Sequence, residues 1–130
     1  MTDILRSFSA SAAGMQAQAM RLRHVSENIA HVDTPGYQRK TVDFRAAVDP
    51  TSGTEIVVPG PVRLDPRAGD RVHDPSHPLA DATGHYDGSN VDLMIEIADA
   101  REAQRSYEAN LRMFDQARQM AQSLLELLRR

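Results

Sequence analysis

The chain has 130 residues, 15 Lys and Arg against 18 Asp and Glu, a formal net charge of −3 and no cysteine. That length is one domain's worth, with a modest core. The mild acidity argues against a general nucleic-acid binder, and the missing thiols exclude disulfides and Cys-based metal sites. The first thirty residues lack the uninterrupted apolar run of a cleaved secretory signal, and nothing approaches the ~20 apolar residues of a membrane span. The expectation is a cytoplasmic protein, or one exported without a cleaved signal.

Residues 3–32 read as one helix, with Thr2 or Asp3 as cap. Phe8, Met15, Leu22 and Ile29 recur every seventh position, and Leu5, Ala12 and Ala19 widen the apolar stripe. Small residues from Ala10 to Ala19 would let a neighbouring helix approach closely. Gly14 costs about 1 kcal/mol inside a helix relative to Ala, and close packing there would offset it. Asp33-Thr34-Pro35-Gly36 is a strong stop: a turn former, a residue disfavoured from helix by the proline after it, and a glycine free to take positive φ.

The middle holds all seven prolines, Pro35 to Pro78, and six of the seven glycines. Tyr37 to Phe44 predicts one short strand, with Val42 and Phe44 on one face. Thr54–Val58 and Val62–Leu64 read as two short strands joined across a Pro59-Gly60 turn. Residues 65–90 are mostly turn chemistry with short β pieces. Arg39-Lys40 reads as a solvated strand edge.

The last segment predicts a long unbroken helix from residue 90 to Leu128, capped by Ser89 or Asn90. Leu93, Ala100, Tyr107, Phe114, Ala121 and Leu128 form a six-membered seven-step row, and Ile97, Leu111 and Leu125 form a second. Sustained sevens are the mark of helices packed along one another in a left-handed supercoil. At ~1.5 Å per residue the two helices would be about 45 and 57 Å long, beyond the ~30 Å diameter of a compact chain this size. Their stripes therefore need partners.

The fold class this predicts is mainly α: two long terminal helices paired like a coiled coil, with an irregular, short-stranded middle. The divisions are 1–33, 34–89 and 90–130, the two helices forming one discontinuous domain. The expected packing residues are Phe8, Met15, Leu22 and Ile29 with Leu93, Ile97, Tyr107, Leu111, Phe114 and Leu125.

Chemistry has little to stand on. His73, Asp74, His77, Asp81 and His85 carry ligating atoms, but Pro75 and Pro78 forbid the regular helix a four-residue spacing would need, so a structured loop is the favoured reading. There is no Gly-rich phosphate loop and no nucleophile elbow, and acid pairs such as Glu96–Asp99 read as ordinary helix-face charges. No enzyme, metal or cofactor is expected. A metal-dependent enzyme using His73, His77 and His85 is one rival. A closed helical hairpin that binds one partner without polymerising is another; its termini would resist protease, where those of a free assembling subunit would be cut first.

Ser26-Glu27-Asn28-Ile29-Ala30-His31-Val32-Asp33-Thr34-Pro35-Gly36-Tyr37, with Ala13-Gly14-Met15 upstream, resembles the N-terminal signature of bacterial flagellar rod and hook proteins. Asn90-Val91-Asp92 and Arg105 to Leu111 look like that family's C-terminal helix. Asp74 to Asp81 is similar to the central segment of its C-type proximal rod proteins. The resemblance implies that Asn28, Thr34, Pro35, Gly36 and Tyr37 are family motif residues. It also implies that the terminal helices pack against neighbouring subunits in the wall of a hollow periplasmic rod of the flagellar basal body. Implied partners are further copies of the chain, other proximal and distal rod proteins, the rod–MS-ring adaptor and the flagellar type III export apparatus, with no nucleic acid.

Overall fold

The computed structural model describes residues 2–130. Two helices, α1 (Thr2–Ala30) and α2 (Leu93–Arg129), run antiparallel, and four strands lie between them in sequence. Strands β1 (Lys40–Val48) and β2 (Glu55–Leu64) form one antiparallel ribbon; β3 (Arg71–His73) and β4 (His85–Asp87) form a second, smaller one. The chain is mainly α with a short-stranded middle, as its periodicity predicts. Among the described residues no helix is long and apolar enough to cross a membrane.

α1 is packed on two sides, against α2 and against the β1–β2 ribbon. The helix pair is held by a narrow seam. Along α2 the residues turned inward alternate in steps of four and three: Glu96, Ala100, Ala103, Tyr107, Asn110, Phe114, Ala117 and Ala121. Small residues dominate it. Ala17, Ala103 and Ala117 are almost fully buried, and a Cβ on Gly14 would come within 2.7 Å of the Asn110 amide. The close approach expected at Gly14 is thus present. Phe8 and Phe114 meet edge to face, with centroids 4.9 Å apart. Ser11 is buried by donating back to the Ser7 carbonyl at 2.6 Å.

Several boundaries differ from the sequence reading. α1 ends at Ala30, where His31 and Val32 switch to tighter bonds on Asn28 and Ile29, and Gly36 completes the exit at φ +72°. Thr2 and Asp3 lie inside α1, and Asp3 sits in the first turn, where the helix dipole favours a carboxylate. β1 begins only at Lys40, because Tyr37 and Arg39 spend their backbone groups on Asn90 and Asp65.

β2 is one strand, not two. It runs straight through Pro59-Gly60-Pro61, and the register slips between Val42 and Phe44, where one β1 residue faces two of β2. A two-stranded ribbon leaves one edge of β2 unpaired, so prolines without an N–H are tolerated, and a bulge absorbs the extra residue. α2 is capped by Asp92, whose carboxylate accepts from the Met94 amide at 3.0 Å. Ser89 and Asn90 are engaged elsewhere.

The β3–β4 hairpin is stabilised by carboxylates. Hydrogen bonds from Thr83, then Arg71, hold the Asp81 carboxyl far below the usual range; Ser76 lowers Asp74, and the Arg67 side chain lowers Asp65. Groups depressed in the folded state add stability that is complete above their unfolded values and is lost as pH falls through the folded ones. Protection of the β3 and β4 amides, corrected for the intrinsic pH dependence of exchange, should therefore hold from neutral pH to about 5 and fall below about 4. Protection that stays constant or rises below about pH 4 would contradict the network.

Candidate functional site

Three of the five buried polar side chains among the described residues, Asn28, Ser89 and Glu96, lie at the corner where α1, β1 and α2 meet. Asn28, on the last turn of α1, is 1% exposed. Its side-chain amide pairs with the Lys40 backbone twice, donating to the carbonyl and accepting from the N–H, both at 2.9 Å. The same oxygen accepts from the Tyr37 hydroxyl at 2.9 Å, and the same nitrogen donates to Glu96 Oε2 at 3.3 Å. All four hydrogen-bonding positions of the amide are filled, which is how a buried Asn avoids a desolvation cost.

Asn90 mirrors it from the other side. Its Oδ1 accepts from the Arg39 amide at 2.6 Å, its Nδ2 donates to the Asp65 and Arg67 carbonyls, and its own amide donates to Tyr37. Ser89 donates to the Val32 carbonyl. Two asparagines and a serine therefore hold the chain as it leaves α1 and as it returns to α2.

Charge completes the corner. Glu96 is fully buried. Arg39 Nε donates to it, and Arg39 Nη2 donates to Asp99 at 2.8 Å. Arg21 reaches Asp99 and Glu102 at 3.4 Å. Lys40 Nζ lies 2.8 Å from Glu27; this contact holds the Glu27 carboxyl below its ordinary value and the Lys40 ammonium above its own. Burial pushes the Tyr37 hydroxyl up. Tyr37 also stacks on His31, centroids 4.7 Å apart, while His31 Nδ1 lies 3.1 Å from the Thr34 hydroxyl.

The five motif residues separate into two kinds. Asn28 and Tyr37 bond directly at the corner. Thr34, Pro35 and Gly36 shape the turn that delivers Tyr37 to it, with Gly36 N donating to Asp87. Arg39 and Glu96 were misread in the sequence. Arg39-Lys40 is not a solvated edge and Glu96–Asp99 is not an ordinary pair of surface acids, because the fold brings a buried carboxylate and two cations together. Glu96 was detectable: it stands four and seven residues before Ala100 and Ala103, on the inward row, where a lone acid needs a partner.

The remaining predicted residues divide by face. Phe8, Met15, Leu22, Ile29, Tyr107 and Phe114 are half-buried. Leu93, Ile97, Leu111 and Leu125 remain exposed, Leu111 by 42% and Leu125 by 56%. The register of Phe8 on Phe114 sets Thr2 across from about residue 120. The last turns of α2 therefore outrun α1, and Leu124, Leu125, Leu127 and Leu128 are uncovered there.

His73 packs on His85 and His77 stacks on Tyr86. Among the described residues no three His, Asp or Glu side chains converge as a metal site.

Breaking a buried ion pair leaves an uncompensated charge and costs about 3–5 kcal/mol in general. Arg39 is 18% exposed, so Arg39→Ala should lie near the lower end of that range in a urea melt. Arg39→Met with Glu96→Leu should recover most of the loss. No recovery in the double variant would contradict the pairing.

Residues 82–127 match the family described as flagellar basal body rod FlgEFG protein C-terminal. The flagellar basal-body rod protein FlgC of Agrobacterium fabrum is 45% identical over 126 residues, covering 90% of this chain and 89% of the relative. Proteins of the same name from Escherichia coli O6:H1 and Aquifex aeolicus are each 30% identical, over 95% and 97% of this chain and 97% and 98% of their own lengths. With identity of this extent along nearly the whole length, the chain belongs to the FlgC family of flagellar basal-body rod proteins.

Proposed function

We propose that the chain is a subunit of the proximal rod that polymerises through its terminal helices. Membership of the rod family makes it a structural component of the flagellar basal body. The finer reading is carried by one observation. The intrachain seam uses the inward face of α2 from Glu96 to Ala121, and the adjacent row of Ile97, Leu111 and Leu125, with Leu93 at the helix start, is left exposed on a helix about 55 Å long. Large exposed apolar patches mark interaction surfaces.

In this reading the exposed row packs on the helices of neighbouring subunits and of other rod proteins. Burial at roughly 25 cal/mol per Å² drives the contact. Heterologous contacts that do not close into a ring give a helical, hollow wall. Such a wall transmits torque and leaves a channel for export substrates. Subunits reach the periplasm through the flagellar type III export apparatus without a cleaved signal, and the rod–MS-ring adaptor and distal rod proteins flank them. No group arrangement that would support catalysis takes part.

Leu111→Asp alters an exposed position, so the purified chain should keep its stability within about 0.5 kcal/mol. Rod assembly and swimming should be lost. Normal rods and normal swimming in this variant would overturn the interface assignment.

A further inference from the structure

A crevice of about 470 Å³ lies between the exit from α1 and the β3–β4 hairpin. Val32, Val72, Tyr86 and Val91 give it apolar walls, and among the described residues its only charged lining groups are Asp33 and Asp70. Both aspartates are exposed, and neither carboxylate has an ion-pair or hydrogen-bond partner among the described residues. The cations nearest in sequence are already held: Arg67 by Asp65, and Arg71 by Asp81 and Asp87. Arg71 also points to the other face of the hairpin, because Val72 pairs across with Tyr86 and successive strand side chains alternate faces. The crevice thus sets uncompensated negative charge over an apolar floor, which fits a side chain with an apolar stem and a cationic head.

The chain carries a complementary surface elsewhere. Lys40 is the only lysine and is held by Glu27, so a cation offered by a second copy is an arginine. On α2, Arg101, Arg105 and Arg112 are exposed, and among the described residues none has an acid within ion-pair distance. Spacings of four and seven put the three on one stripe about 16 Å long, on the side of α2 away from the seam. Glu102 beside them is engaged by Arg21, and Glu108 is the one acid within the stripe, so its net charge stays positive. Arg101 and Arg105 share a surface hollow with Met94 and Ile97, so the stripe is continuous with the exposed apolar row.

We propose that the crevice between Asp33 and Asp70 receives the Arg101–Arg105 turn of α2 from a second copy of this chain. The proposal rests on the assembly reading above and names the surface that meets the edge of the exposed row. One guanidinium, with five donors, serves both carboxylates. Its stem lies on Val32 and Val91 and its plane on Tyr86. The contact is heterologous, crevice of one copy to helix of the next, so it repeats without closing on a pair. It also fixes the register of one subunit on another, which an apolar stripe does not.

The test is a charge exchange, with each variant melted as purified chain and scored in cells for rod assembly and swimming. Asp33→Arg with Asp70→Arg reverses the crevice, and Arg101→Glu with Arg105→Glu reverses the helix. All four positions are exposed, so both doubles should melt close to the parent. Assembled rods should nevertheless fall at least about tenfold in each, the scale of one lost hydrogen bond between charged groups. The chain carrying all four changes restores the pairing with its signs exchanged and should recover most of the rods. Parental assembly in either double would overturn the proposal, and so would a fourfold variant no better than the doubles. Should the reversed crevice fail to fold, Asp33→Asn with Asp70→Asn removes the charge at constant shape; it should show the same loss, and parental rods there would equally overturn the contact. Leu111→Asp run alongside separates the two claims. If it abolishes rods while the charge doubles leave them intact, only the crevice contact falls; if it leaves rods intact, the assembly reading itself falls.

Discussion

A carboxylate with no access to water governs the architecture. Glu96 sits on the inward row of α2, and α2 can dock on α1 only if a cation follows it in. Arg39 is that cation, and it is available only after the chain has turned sharply at the end of α1. The turn at Thr34 to Tyr37, the Asn28 amide and the start of β1 are therefore consequences of one electrostatic requirement. Desolvating two charges is expensive, and their attraction repays it only when geometry and further hydrogen bonds are good. Here Asn28 and Asp99 supply those bonds.

The corner matters more because the rest of the helix pair is thinly held. Its seam is built largely of alanine, glycine and serine, which lets the backbones approach but buries little apolar area per residue. Phe8 on Phe114 is a large contact near the other end, and Ile4 is buried there too. A seam anchored at the corner and spare elsewhere keeps large side chains free. Leu111, Met113, Met120 and Leu125 point away from α1 and remain available to other molecules. The same economy explains why α2 can outrun α1 without collapsing onto it.

Much of this was legible in the residues. Seven-step rows gave both helices, Asp33 to Gly36 gave the exit from α1, and the small residues around Gly14 announced a close approach. Pairing was harder to read. Periodicity names a stripe but does not say which of two adjacent rows meets the chain itself. The choice of Glu96, Ala103, Asn110 and Ala117 over Ile97, Leu111 and Leu125 depends on residue size at a contact two helices share. The corner was hidden for a related reason: Arg39 and Glu96 are 57 residues apart, and each alone resembles ordinary surface charge. β2 was misdivided because Pro59-Gly60 is a good turn locally, and only the partner strand shows that a bulge serves instead.

The most direct measurement is a reconstruction of an intact basal body at a resolution that shows side chains. The account predicts Ile97, Leu111 and Leu125 covered by helices of adjacent subunits, with Arg39 still on Glu96 and the β1–β2 ribbon still against α1. It would be contradicted by that row facing open solvent or the channel, or by a subunit whose α1 and α2 are separated at the corner.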